Sequence, residues 1–169
     1  NLKVIEMLPK KCHPMDSIRT AVSYLGCEDE RIWANDPATN FDKAVRLLAK
    51  IPTMVAADFR WKKGLAPIAP RLDLSLSENF FHMCFGKIPD PRVVKAFDVS
   101  LILYAEHSFN ASTFTSRVVT STESDIYSAT VAGIGALKGP LHGGANEQVM
   151  HMMKEINDPA VARDWMLTA

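Results

Sequence analysis

Apolar residues recur three and four positions apart along most of the chain, and proline or glycine breaks the stretches between them. That spacing predicts amphipathic helices packed on one another. HPMDSIRTAVSYLG puts Met15, Ile18, Val22 and Leu25 on one face, sets Pro14 where a first helical turn tolerates it, and stops at Gly26. ATNFDKAVRLLAKIPTMVAADFRWKKG repeats the period through Phe41, Ala44, Val45, Leu48 and Ile51. Pro52 is expected to kink that helix or to start a second segment, of which Val55 to Phe59 is again apolar on one side.

GLAPIAPRLDLSLSENF has no clean period and reads as a loop, followed by a short helix from about Ser77 to Phe85. Asp90 and Pro91 form an N-cap and first-turn pair for RVVKAFDVSLILYAEH. From Val99 to Ala105 this helix is apolar nearly all round, which predicts burial on every side in the middle of a large helical body. SFNASTFTSRVV gives a shorter helix with Ala111, Phe114 and Val118 aligned. STESDIYSATVAGIGALKG opens with Thr122 as cap and Asp125 in the first turn, and ends at Gly139 and Pro140. Its small residues Ala129, Ala132, Gly133 and Ala136 allow another helix close approach, either within the chain or across a subunit boundary. ANEQVMHMMKEI, with Val149, Met152, Met153 and Ile156, is a further helix. No strand alternation lasts more than a few residues, so the fold class is all-α and multi-helical.

Composition narrows the function classes. The 169 residues suffice for one domain with a real core. Lysine plus arginine (19) balance aspartate plus glutamate (19), so no charge footprint points to nucleic acid or to an anionic membrane. Cys12, Cys27 and Cys84 show no CxxC spacing, which argues against a disulfide framework and fits a reducing, cytoplasmic compartment. No uncharged apolar run reaches the roughly 18 residues of a membrane span. The chain opens on Asn1 and closes on the helix-like DPAVARDWMLTA, and is expected to be a piece of a longer polypeptide.

Several familiar chemistries lack their residues. GIGALKG carries its glycines inside a helix and at its end, whereas a dinucleotide fingerprint follows a strand and opens a helix. His82 with Cys84, or Cys12 with His13, lacks a second pair at zinc-ligand spacing, so no metal is expected. No G-x-S-x-G elbow supports a serine hydrolase. Two histidines remain. His107 precedes the small polar cluster SFNAST, which is costly in a core unless it bonds something. His142 sits between a Gly-Pro break and the Gly143–Gly144 pair, just ahead of a helix. Free N–H groups and the positive helix end gather there, a setting that favours a neutral imidazole acting as a donor.

LYAEHSFNASTFTSRV (Leu103 to Val118), SDIYSATVAGIGALKGPLHGGANE (Ser124 to Glu147) and LPKKCHPMDSIRTAVSYLG (Leu8 to Gly26) together resemble the citrate synthase family, particularly its citrate and 2-methylcitrate synthase members. The resemblance implies a large helical domain, here residues 1–141, and the start of a smaller one from the active-site turn onward, 142–169. It implies condensation of acetyl-CoA or propionyl-CoA, as co-substrate, with oxaloacetate, then thioester hydrolysis by a homodimer with no tightly bound cofactor. By matching motif, His142 is the catalytic histidine that bonds the thioester carbonyl oxygen as the enol forms, while His107 and Asn110 hold oxaloacetate. The family's aspartate base, a further histidine in a GFGHR-like motif and the arginines fall downstream of HGGANE and are absent from this sequence, so the chain alone is expected to be inactive. Asp98 and Asp125 therefore have no claim to the base's role. A non-enzymatic helical interaction module and a citryl-CoA lyase-type domain are the alternatives on the same scaffold.

Overall fold

The computed structural model describes every residue except Asn1, His107 and Ala169. The described residues form nine α-helices and no strand: α1 (Leu2–Met7), α2 (Pro14–Cys27), α3 (Pro37–Lys62), α4 (Leu76–Phe85), α5 (Pro91–Tyr104), α6 (Ala111–Thr120), α7 (Ile126–Leu137), α8 (Gly144–Ile156) and α9 (Ala162–Thr168). A single 3-10 turn, Pro159–Val161, precedes α9. None of these helices is long and apolar enough to cross a membrane.

Local signals explain most of the starts and stops. His13 caps α2 by taking the Met15 N–H on its ring, with Pro14 in the first turn. Asp36 caps α3, and Ser75 with Glu78 closes a reciprocal capping box on α4. Gly86, at φ 71°, ends α4 in the left-handed conformation that glycine adopts freely. Asp90 and Pro91 open α5 as expected.

The main core collects Ile5, Ile18, Val22, Leu25, Leu47, Met54 and Tyr127 from α1, α2, α3 and α7. A smaller cluster, Ala56, Met83 and Cys84 with Phe59 and Phe80, joins α3 to α4. Phe97 carries that cluster to α5, its ring stacked 5.3 Å from Phe80 and edge-on 5.1 Å from Phe81. Helices α2 and α7 cross so tightly that a Cβ at Gly26 would lie 3.1 Å from Cβ of Tyr127. The small residues of α7 serve packing within the chain: Ser116 of α6 donates to the Ala129 carbonyl at 2.9 Å, and a Cβ at Gly133 would come within 2.6 Å of the Ser116 hydroxyl.

Several polar groups are buried in this body with partners. The Tyr127 hydroxyl donates to Asp29 Oδ2 at 2.7 Å. Burial alone would raise the Asp29 carboxyl, but the Tyr127 hydroxyl and the Arg31 N–H outweigh it and hold Asp29 below the usual carboxylate range. Burial and the bond to Asp29 push Tyr127 up to about 12. The fully buried Lys43 ammonium donates to the carbonyls of Ile32 and Ala34 at 3.0 and 2.9 Å, tying down the loop between α2 and α3.

Three expectations are corrected. Helix α3 runs through Pro52 without interruption, so no second segment starts there. The carbonyl that loses its partner is that of Leu48, a residue 64% exposed. The cap of α7 is Asp125 rather than Thr122: its carboxylate takes the Ser128 N–H at 2.9 Å, while Thr122 bonds back to the Val119 carbonyl. Finally, α5 has no buried residue, and Ile102 and Leu103 are 67% and 73% exposed. An all-apolar surface reports what a helix needs covered, and the partner for that surface is not among these residues.

Candidate active site

Helix α7 ends at Leu137, with Lys138 as its C-cap, and the chain then turns sharply into α8. The turn closes on itself. Gly143 N–H bonds the Leu137 carbonyl at 2.9 Å, and His142 N–H bonds the Gly139 carbonyl at 2.9 Å. Gly143 is the N-cap of α8 at φ −68°, a conformation open to any residue, so its identity rests on space. A Cβ there would lie 2.1 Å from the Leu137 oxygen. Gly144, by contrast, has room for a methyl group.

This closure presents the half-buried His142 ring to the start of α6. Nε2 lies 2.9 Å from Ser112 Oγ and 3.4 Å from Ser112 N. Ser112 is the second residue of α6, whose N-cap, Asn110, makes no side-chain cap bond. The imidazole thus takes over, from thirty residues away, the capping that a local side chain ordinarily supplies. A backbone N–H can only donate, so Nε2 accepts and the ring proton resides on Nδ1, an assignment that follows from the bond network. Among the described residues Nδ1 has no hydrogen-bond partner.

His142 thus stands directly before the N-cap of α8, as expected, and also meets the start of α6. Asn110 lies beside it, with a half-buried side chain free of any capping bond. The expectation for His107 lies outside the described residues. Two residues of the quoted motifs also meet: the Tyr104 hydroxyl, at the end of α5, donates to Asn146 Oδ1 at 3.2 Å in the first turn of α8. Ser112 could have been suspected from the polar cluster around it, but its partner could not.

Neither spare aspartate reaches this site. Asp98 accepts the Ser77 hydroxyl at 2.9 Å between α4 and α5. Asp125 caps α7; burial works to raise it, and the Ser128 hydroxyl and amide outweigh that and hold it low. Among the described residues no group of three or more histidine, cysteine or carboxylate side chains could hold a metal ion.

The sequence profile described as "Citrate synthase, C-terminal domain" matches residues 1–169. A 2-methylcitrate synthase of Mycobacterium tuberculosis is 60% identical over 98% of the chain, and a citrate synthase of Mycolicibacterium smegmatis is 56% identical over 96%. The chain spans 42% and 44% of the lengths of those two relatives. Among solved structures, the ternary complex of carboxymethyl coenzyme A and oxaloacetate with citrate synthase from Thermoplasma acidophilum superposes with a TM-score of 0.84 at 30% identity, covering 97% of this chain and 43% of that one. Citrate synthase from Pyrobaculum aerophilum superposes with a TM-score of 0.76 at 38% identity, covering 96% of this chain and 43% of that one. The helical order, the turn that carries His142 and the match along the whole chain agree: this chain belongs to the citrate synthase family.

Proposed function

We propose that this chain is the part of an acyl-CoA:oxaloacetate condensing enzyme, a citrate or 2-methylcitrate synthase, that supplies the enol-stabilising half of the active site. The observation that carries the reading is the His142 ring, whose Nε2 is occupied by Ser112 and whose Nδ1 has no partner among the described residues. Removing the α-proton of an acyl thioester places negative charge on the carbonyl oxygen, and a fixed neutral donor stabilises that charge as it develops. The enol carbon then attacks the oxaloacetate ketone. The resulting CoA thioester is hydrolysed by water, releasing the free thiol.

In this reading His142 acts on the thioester, and His107 and Asn110 bind oxaloacetate. The proton-abstracting carboxylate comes from a segment outside these residues, since Asp98 and Asp125 are engaged elsewhere. Residues 1–141 belong to the large helical domain, and residues 142–169 begin the small one. The uncovered faces of α5 fit the same picture, because a longer polypeptide would bury them. The groove of about 610 Å³ along α6 and α7, lined by Thr113, Arg117, Thr130 and Ile134, is the surface for a second copy in a homodimer. The chain by itself is inactive.

The test is thiol release by the full-length protein from acetyl-CoA and from propionyl-CoA, each with oxaloacetate. Oxaloacetate-dependent release from either supports the reading, and the better of the two identifies the acyl group. No release from either overturns it.

A further inference from the structure

A charged contact outside the site bears on the position of His142. Asp16, in the first turn of α2, accepts the Lys138 ammonium on Oδ2 at 2.7 Å and the Arg19 guanidinium on Oδ1 at 2.9 Å. Lys138 is the residue immediately after α7, and with it the turn toward His142 begins. The pair spans 122 positions of sequence. Among the described residues it is the one side-chain hydrogen bond that joins α2 to the segment 137–148. Elsewhere the two are separated by a cleft of about 370 Å³ lined by His13, Met15, Pro140, Gly144 and Gln148.

Each charge also suits its own helix. The carboxylate faces the positive start of α2 and the ammonium the negative end of α7, so the pair joins two helix ends of opposite sign. The bond from Lys138, together with nearby cations, holds the Asp16 carboxyl below its ordinary range. Lys138 leaves little freedom to the residues after it: Leu137, its neighbour, supplies the carbonyl that fixes Gly143, and His142 is the residue before Gly143. A shift of the Lys138 backbone is therefore passed to the imidazole through one short, closed turn.

We infer that Asp16 and Lys138 are positioning residues, a clamp between α2 and α7 that sets the His142 ring against the start of α6. The clamp rests on the function proposed for His142. Such a half-exposed pair contributes little to global stability, so its loss moves the turn without unfolding the protein. Displacement of a catalytic group by a fraction of an ångström lowers turnover while leaving binding of the other substrate nearly intact.

The experiment uses the full-length protein with Asp16→Asn, Lys138→Met, both together, and Lys138→Arg. Each single variant, and the pair together no more than either one, lowers kcat about tenfold with KM for oxaloacetate within about twofold of the parent. Amide exchange at Gly143 quickens about tenfold in the same variants, at an unchanged melting temperature. Lys138→Arg, which keeps the charge and reach, restores both readouts. Unchanged exchange at Gly143 in Asp16→Asn overturns the clamp, as does an effect of the double variant equal to the product of the single ones. If the parent protein shows no condensation, the function proposed for His142 falls, and the exchange measurement still decides whether the clamp holds the turn.

Discussion

Nε2 of His142 and the backbone N–H of Ser112 meet at 3.4 Å, with the Ser112 hydroxyl closer still at 2.9 Å. The contact couples two helices distant in sequence: it satisfies a donor at the start of α6 and fixes which ring nitrogen carries the proton. If His142 has the role proposed for it, removing the ring removes the oxyanion donor. His142→Ala in the full-length protein is expected to lower kcat by about 10²–10³-fold, measured by thiol release, with a much smaller change in KM for oxaloacetate.

Ser112→Ala keeps the amide and deletes the hydroxyl. One neutral hydrogen bond to the imidazole disappears, worth about 0.5–1.5 kcal/mol, so kcat falls by about threefold to tenfold. A loss as large as that of His142→Ala would show that the hydroxyl, and not the amide, orients the ring.

Gly143→Ala tests the closure of the turn. Its Cβ would sit 2.1 Å from the Leu137 carbonyl oxygen, a backbone atom that cannot swing aside as a side chain could. The turn must open, at a cost of about 1–3 kcal/mol in urea unfolding and about 10²-fold in kcat. Gly144→Ala, with its nearest neighbour 3.5 Å away, is the matched control and should be mild in both measurements.

The buried Tyr127–Asp29 pair gives a pH dependence with a defined sign. Tyr127 is raised in the folded state from 10 to about 12, so folding favours its neutral form. That contribution is complete below pH 10 and is lost as pH rises from 10 to about 12. Asp29 is lowered from 3.8, so its contribution holds above pH 3.8 and fades as pH falls through its folded value. Tyr127→Phe leaves a buried carboxylate short of a donor and should cost about 1–3 kcal/mol at neutral pH. Urea melts at stepped pH should also show the variant losing less stability than the parent between pH 10 and 12, because the titrating hydroxyl is gone.

The helices were legible where their starts are written locally: Pro14 opens one and Asp90 with Pro91 opens another, whereas Gly26, expected as a stop, lies inside α2 against Tyr127. Of the two outcomes expected at Pro52, a second segment does not occur, since α3 continues through it. The Thr122 cap failed because Asp125 competes for the same helix start and reaches the Ser128 amide. At the site, glycine framing singled out His142 and a polar cluster flanked Asn110. Their relation to Ser112 was invisible, since it depends on how α6 folds back on α7, and no one-dimensional spacing encodes that fold. The burial expected for α5 failed for a related reason: its sequence states a demand for cover without saying which residues supply it.

The approach of Gly143 to the Leu137 carbonyl also bears on how this turn can be redesigned. Leu141, two positions earlier, projects fully into the open at 101% exposure, so neither α7 nor α8 limits the side chain it can carry. Variation therefore meets an uneven alphabet within three residues: exposed position 141 is open to change, position 142 holds its ring against Ser112, and position 143 is closed to any side chain. A randomised library that spares Gly143 and Ser112 and spends its diversity on Leu141 keeps the closed turn in place while its outer face changes.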